Sequence, residues 1–382
     1  MIYFDSAATT LQKPQAVAAA VARAVGTLAS PGRGGHRPAM DAAETAYACR
    51  VLAGELLGVS DPERVVLTFN ATHGLNIAVQ TLVPPGGEVV ISGWEHNAVT
   101  RPLRARNARV LVAKAPLFDR EATLRAFQEQ ISPQTCCVIC TQVSNVFGGI
   151  LPVEDIARVC KNQGIPLVVD ASQGAGCLPV DADGWGAAFV AMPGHKGLYG
   201  PQGTGLLLCG KETVAAPVLF GGTGSASQAQ EMPDFLPDRL EAGTHNITGV
   251  AGLLEGLRFV RRKGPKTILA HEQALVRALG EGLSQLPGVK CFFSPQTRDQ
   301  GGVLSFLVEG MDCEELAAAL GERGVAVRAG LHCAPLAHQS MGTLEAGTVR
   351  ASFSAFNTGR EVARFLGLME QIVRRKERNL QP

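Results

Sequence analysis

The sequence predicts a two-domain α/β protein whose larger part is a mainly parallel sheet with helices on both faces. Apolar β-branched runs alternate with helical stretches from residue 65 to 210, and such alternation yields parallel strands because each crossover returns the chain through a helix. At 211–245 the composition turns to Gly221, Gly222, Gly224 and prolines 217, 233 and 237, which read as loops between two packed units. Length agrees: 382 residues is about two and a half times the ~150-residue domain prior.

Seven runs are expected as strands of the large sheet: VVLTF (65–69), EVVIS (88–92), RVLVA (109–113), CCVICTQV (136–143), PLVVD (166–170), AAFVAM (187–192) and GLLLC (205–209). Between them, helices are expected at 73–82, 121–130 and 153–163, the last stopped by Gly164 before Pro166. Beyond the loop-rich stretch, helical patterns at 247–263, 267–284, 312–321 and 360–376 and short strands at 290–294, 303–308 and 325–328 describe a smaller α+β domain.

Composition excludes several classes. Lys+Arg 35 against Asp+Glu 34 leaves a net charge of +1, so no bulk field favours nucleic acid or an acidic membrane. A hydrophobic content of 46% with 18% charge buries a sizeable core and excludes a disordered chain. The longest uncharged stretch, 130–153, is broken by Pro133, Gln142, Ser144, Asn145, Gly148 and Gly149, so it reads as a strand entering a loop and not as a membrane span. The start MIYFDSAATTLQKP has no basic leader region and carries Asp5, which leads us to expect a cytoplasmic protein. Ten scattered cysteines read as free thiols. Cys137-x-x-Cys140 has redox or metal spacing, but its apolar strand setting favours burial and no second Cys/His pair completes a metal site; no metal is expected.

Chemistry begins at Asp170, which ends a fully apolar strand and so lies at the carboxyl edge of the sheet, where open α/β sheets bind ligands. Lys196 follows the next apolar strand, within reach of the same crevice. A carboxylate and an amine so placed suit pyridoxal phosphate, the amine as Schiff-base partner and the carboxylate keeping the pyridine nitrogen protonated. Taken alone, the two residues fit an ordinary salt bridge better. His96, after the strand at 88–92, either stacks on a flat heterocycle or merely starts a helix. Thr72, His73 and Gly74 open a helix, whose N-terminus either holds a phosphate or is simply capped. GGTGS at 221–225 matches neither standard nucleotide-binding glycine motif.

Taken in order, the motifs resemble the class V aminotransferase fold family, and within it the type II cysteine desulfurases and selenocysteine lyases. The resemblance runs nearly end to end, through YFDSAATT (3–10), RGGH (33–36), ATHGLN (71–76), EHNA (95–98), VSNVFG (143–148), VVDASQ (168–173), GHKGLYGPQGTG (194–205), EAGTHN (241–246), RAGLHCA (328–334) and RASFSAFNT (350–358). It implies the PLP-dependent transferase fold type I, with 16–250 as the cofactor-binding domain and 1–15 joined to 251–382 as the small one.

By that resemblance Lys196 is the Schiff-base lysine, Asp170 the partner of the pyridine nitrogen, Gln173 that of the phenolic oxygen, and His96 the ring that stacks on the cofactor. Thr72, His73 and His195 would gather at the phosphate, joined by Thr244 from the neighbouring subunit of a homodimer. Arg350 would clamp the substrate carboxylate with its planar fork, with His36, Asn145 and Arg328 around the substrate. Cys333 would take the substrate's sulfur: it follows His332 in a polar segment between Gly330 and Pro335, with Arg328 close in sequence, a setting that favours an exposed thiolate. The implied reaction turns L-cysteine into L-alanine and passes the persulfide to an acceptor protein, as in Fe–S cluster assembly. Alternatives are a selenocysteine lyase acting on L-selenocysteine and a non-catalytic persulfide carrier; the intact Lys196, Asp170, His96 and Arg350 set argues against the carrier. Two positions depart from the family pattern. Pro193 stands where a serine phosphate ligand is usual, and His245 where a proline is common.

Overall fold

The computed structural model describes residues 1–31 and 34–380, the last four as backbone only; Arg33 of the RGGH motif lies outside the described residues. The strands are β1 (Ile2–Tyr3), β2 (Val65–Thr68), β3 (Glu88–Ser92), β4 (Arg109–Ala113), β5 (Thr135–Thr141), β6 (Leu167–Asp170), β7 (Phe189–Pro193) and β8 (Gly205–Cys209) in the first part of the chain. β9 (Val289–Phe292), β10 (Val303–Val308), β11 (Val325–Ala326), β12 (Arg328–Gly330) and β13 (Thr348–Ser352) follow. The helices are α1 (Gln15–Thr27), α2 (Arg37–Leu57), α3 (Ala71–Leu82), α4 (Asn97–Ala105), α5 (Arg120–Gln130), α6 (Val153–Gln163) and α7 (Ala182–Trp185), then α8 (Ile247–Lys263), α9 (Pro265–Leu283), α10 (Cys313–Gly321), α11 (Pro335–Met341) and α12 (Gly359–Leu380).

All seven expected apolar runs join one sheet in the order β2-β8-β7-β6-β5-β3-β4. Strands β3 to β7 are mutually parallel, and β8 runs antiparallel to both β7 and β2. The inner strands are buried on both faces, which is why they read as continuous apolar runs; the edge strand β4 is half exposed. Two hydrophobic cores flank this sheet, one containing Trp94, Phe147 and Val169, the other Ile77, Ile91 and Phe189. Because β8 reverses twice, β2 ends on the same edge as β3, β5, β6 and β7, so five loops converge there.

The second sheet, β12-β13-β10-β9, is antiparallel throughout, and its core holds Phe306, Phe353 and Phe365. The N-terminus enters that core: β1 pairs with β11, and Phe4 packs edge-on against Phe353 with centroids 4.8 Å apart.

Several elements differ from expectation. The strand expected at 325–328 is two, because β11 pairs with β1 while β12 pairs with β13. The alanine-rich α1 and α2 were not legible from periodicity; both pack on α8, so small side chains give close helix contact in place of a clear apolar stripe. Helix α3 starts at Ala71, two residues earlier than expected, because the Asn70 side chain accepts from His73 N at 2.9 Å and caps it. Among the described residues, no helix is long and apolar enough to cross a membrane.

Candidate active site

The five converging loops enclose a small cavity lined by Asn70, Thr72, His96, Thr141, Asn145, Asp170, Ser172, Gln173, Pro193, His195 and Lys196. Seven residues expected at a site from sequence thus share one cavity: Thr72, His96, Asn145, Asp170, Gln173, His195 and Lys196. A larger groove of about 890 Å³ lies between the turn at 116–121 and residues 294–299; it contains none of the expected site residues and carries mixed charge.

Lys196 is partly buried, and desolvation lowers its ammonium pKa to about 8, with Arg350 and Arg328 adding to the effect and Asp170 opposing it. Its peptide is clamped from outside by the N-terminal segment. The carbonyl of His195 accepts from Thr10 Oγ1 at 3.0 Å, Thr10 N at 3.2 Å and Lys13 Nζ at 3.0 Å. Lys13, itself lowered to about 8 by burial, also donates to Thr10 Oγ1 at 2.6 Å.

Asp170 is 3% exposed, and its Oδ1 accepts from Ser172 N at 3.0 Å, which holds the carboxylate at the strand end. His96 caps α4: its Nδ1 accepts from Ala98 N at 3.0 Å, so the proton sits on Nε2. Burial lowers its pKa to about 4 in spite of Asp170, leaving a flat, neutral ring. His195 is likewise lowered to about 4 by burial, with Lys196 and Lys13 contributing, and its Nδ1 lies 3.0 Å from Thr9 Oγ1. Gln173 turns its amide nitrogen to Ala7 O at 3.0 Å. Pro193 lines the cavity but offers no donor.

Beneath the rim, Glu95 is fully buried and its pKa is raised to about 8 by burial; Oε1 accepts from Thr141 N at 2.8 Å, and Oε2 has no partner. Sequence reading passed over Glu95, Asn70 and Ser172. Only Asn70 carried a local signal, an Asn one position before a helix.

Cys333 lies outside this cavity on a four-residue link between β12 and α11, and it is the one exposed cysteine of the ten. The link is tied to the rim twice: Asn97 N donates to Cys333 O at 2.8 Å, and Asn145 Nδ2 donates to His332 O at 2.8 Å. His332 (φ 48°) and Cys333 (φ 56°) both occupy the left-handed region, which costs roughly 1–3 kcal/mol for each non-glycine residue and is held by these ties. His332 is buried and its pKa is lowered to about 2, burial first and Arg350 second; its Nε2–H donates to Thr348 O at 3.1 Å. Cys137 and Cys140 are fully buried in β5; the neighbouring Cys136 and then burial hold the Cys137 thiol, and burial the Cys140 thiol, far above the ordinary range.

Arg350, on β13, is 2% exposed. Its Nη1 donates to Asn145 O at 2.9 Å and its Nη2 to Asp5 Oδ1 at 2.8 Å, while Nε has no partner. Arg328 is exposed on β12, paired in register with Arg350. His36, exposed at the start of α2, and Arg328 are not brought to the Lys196 cavity. Neither is His73, which stacks on Phe69 with centroids 4.9 Å apart and has both ring nitrogens unpartnered.

Thr244 is exposed on a separate cavity of about 480 Å³ with Gly222, Thr223, Gly224 and Ser225. The neighbouring Glu241 is gripped by both Nη atoms of Arg50 at 2.7 Å, and His245 Nε2 lies 3.7 Å from it, so a histidine fits where the family pattern has proline.

The model of the family "Aminotransferase class-V" matches residues 2–365. A probable cysteine desulfurase of Xylella fastidiosa strain 9a5c is 34% identical, with 97% of this chain and 91% of that protein covered. One from Mycolicibacterium paratuberculosis is also 34% identical over 97% of this chain, but the chain spans only 55% of its length. Among solved structures, the apo cysteine desulfurase of Thermococcus onnurineus superposes with a TM-score of 0.89 at 31% identity, covering 98% of this chain and 94% of that one. Escherichia coli CsdA, a cysteine desulfurase solved as its S-sulfonic acid, gives 0.83 at 28% identity, with 97% and 94% covered. With fold, motifs and match length all in agreement, the chain belongs to the class-V aminotransferase family.

Proposed function

We propose that this protein is a pyridoxal-phosphate-dependent cysteine desulfurase that converts L-cysteine to L-alanine and takes the sulfur onto Cys333 as a persulfide. The observation that carries the reading is the placement of an exposed thiol on a short, strained link pinned by two hydrogen bonds to the rim of the Lys196 cavity. The cavity's donor set fits the cofactor: a buried amine of lowered pKa, a held carboxylate, a neutral imidazole plane, and the capped N-terminus of α3 with the Thr72 hydroxyl. Pyridoxal phosphate, when bound, supplies an aldehyde for amine condensation and a protonated ring that withdraws electrons.

The chain's own residues then have distinct tasks. Lys196 would hold the cofactor and, with part of its population neutral near pH 7, move the proton at the substrate's Cα. Asp170 would face the ring nitrogen, His96 the ring plane and Gln173 the phenolic oxygen. Thr72 and His195 would serve the phosphate, while the His73 N–H is held by the Asn70 cap of α3. Arg350 would bind the substrate carboxylate, with His36, Asn145 and Arg328 around it. Cys333 Sγ would take the sulfur as the Cβ–S bond breaks, and its exposure suits onward transfer to an acceptor protein.

The separate position of Thr244 supports a homodimer in which this residue completes the partner's phosphate site. The division into 16–250 and 1–15 with 251–382 would put the cofactor on the first unit and Cys333 on the second. Ten free cysteines accord with a cytoplasmic protein. Alanine and sulfide release from L-cysteine, compared with L-selenocysteine, tests the assignment. Turnover of L-cysteine supports it, turnover of L-selenocysteine alone makes the enzyme a selenocysteine lyase, and neither product from holoenzyme leaves only the carrier reading.

A further inference from the structure

Arg350 carries one of the most deeply buried charges in the molecule, and its guanidinium already holds a carboxylate. Asp5 Oδ1 sits 2.8 Å from Nη2, and burial is what lowers the arginine's pKa while Asp5 works against it. Nη1 is spent on Asn145 O, and Nε is buried without an acceptor. The fork therefore has one edge, Nε with Nη2, on which a planar anion would make two parallel hydrogen bonds, and Asp5 occupies half of it. Asp5 is fixed from both sides. Phe4 is packed in the core, Ser352 N donates to Phe4 O at 2.8 Å, and Ala8 N donates to Asp5 O at 3.1 Å.

From this geometry we infer that Asp5 is a resident carboxylate: it neutralises Arg350 when the site holds no substrate and competes with the substrate's carboxylate for the same guanidinium edge. The inference rests on Arg350 being the carboxylate clamp of the proposed function. Two consequences distinguish it from a merely structural ion pair. Removing the charge of Asp5 strengthens binding of any ligand that brings a carboxylate, because two like charges no longer share one cation. Ligands without a carboxylate are indifferent to the change. Asp5 is thus a positioning residue that acts through Arg350. It also lies in the same N-terminal segment whose Thr10 and Lys13 hold the peptide of His195, so carboxylate clamp and amine are braced by one stretch of chain.

The test uses the holoenzyme with Asp5→Asn, which keeps the size and an acceptor oxygen. Calorimetric titration is made with 3-mercaptopropionate, which has a carboxylate and thiol but no amine, and with cysteamine, which has an amine and thiol but no carboxylate. Expected is about tenfold tighter binding of 3-mercaptopropionate and no change for cysteamine, with the KM for L-cysteine falling in parallel while kcat is little affected. Adding Arg350→Lys to both proteins should erase the difference between wild type and Asp5→Asn. Weaker or unchanged binding of 3-mercaptopropionate by a folded Asp5→Asn protein overturns the inference. If that variant instead tightens binding but neither protein releases alanine from L-cysteine, the inference stands and the desulfurase reading fails.

Discussion

The two side chains proposed to react, Lys196 and Cys333, are built in opposite ways. Lys196 is partly buried at the floor of a cavity, uncharged more readily than a free lysine, and its peptide is gripped by Thr10 and Lys13 from the far end of the chain. Cys333 is exposed, on a four-residue link whose backbone is strained at two successive residues and pinned at two points. The contrast suits the roles proposed for each. An amine that reacts with a cofactor and then handles protons gains from dry, low-dielectric surroundings that lower its pKa. A thiol that must take sulfur on one side and hand it to another protein has to reach solvent, and strain with pinning, not burial, fixes its position.

The largest effect should come from the buried side. Lys196→Ala is expected to lose about 10³-fold or more of alanine release, and borohydride reduction of the wild-type holoenzyme followed by peptide mapping should label Lys196. Label on another lysine breaks the comparison at its root. Cys333→Ser should retain the cofactor's absorbance and its shift on adding L-cysteine, yet form no persulfide at position 333, since serine has no sulfur and its hydroxyl offers almost no anion at neutral pH to act as a nucleophile. Unchanged alanine production would mean that this residue is not the sulfur acceptor.

Stability separates the two sites next. In cofactor-free protein the Lys196 ammonium bears its full burial penalty below about pH 8, because folded and unfolded chains are both protonated there. As pH rises from about 8 towards ~10.4 the folded amine loses its proton first, the penalty is relieved, and folding stability increases. Lys196→Met should flatten that part of the rise, worth about 3 kcal/mol at most, while Lys13, also lowered to about 8, keeps its own share. Urea unfolding at a series of pH values measures it, and Cys333→Ser should shift the same curves by less than about 0.5 kcal/mol. A modest loss of activity is expected of Asn145→Ala, which removes the bond to His332 O. It should cost about 1 kcal/mol and slow persulfide formation several-fold without altering borohydride labelling at Lys196.

Much of this was legible in the sequence because it is local. Apolar runs of five to eight residues read as strands of one sheet, and the ends of the runs at 88–92, 166–170 and 187–192 pointed to the carboxyl edge where His96, Asp170 and Lys196 gather. Motif order and spacing were enough to point to the family and to name Lys196, Asp170, His96 and Cys333. Tertiary structure alone decided which groups are buried, paired or strained, because those properties depend on partners hundreds of residues away. Asp5 meets Arg350, Lys13 meets His195, and Asn145 meets His332 across separations that no periodicity records. It also decided that Thr244 faces a cavity other than the one holding Lys196, and that β8 runs against its neighbours. Sequence patterns register how a residue sits in its own helix or strand; desolvation and pairing, which set the chemistry of Lys196 and Arg350, are properties of the assembled neighbourhood.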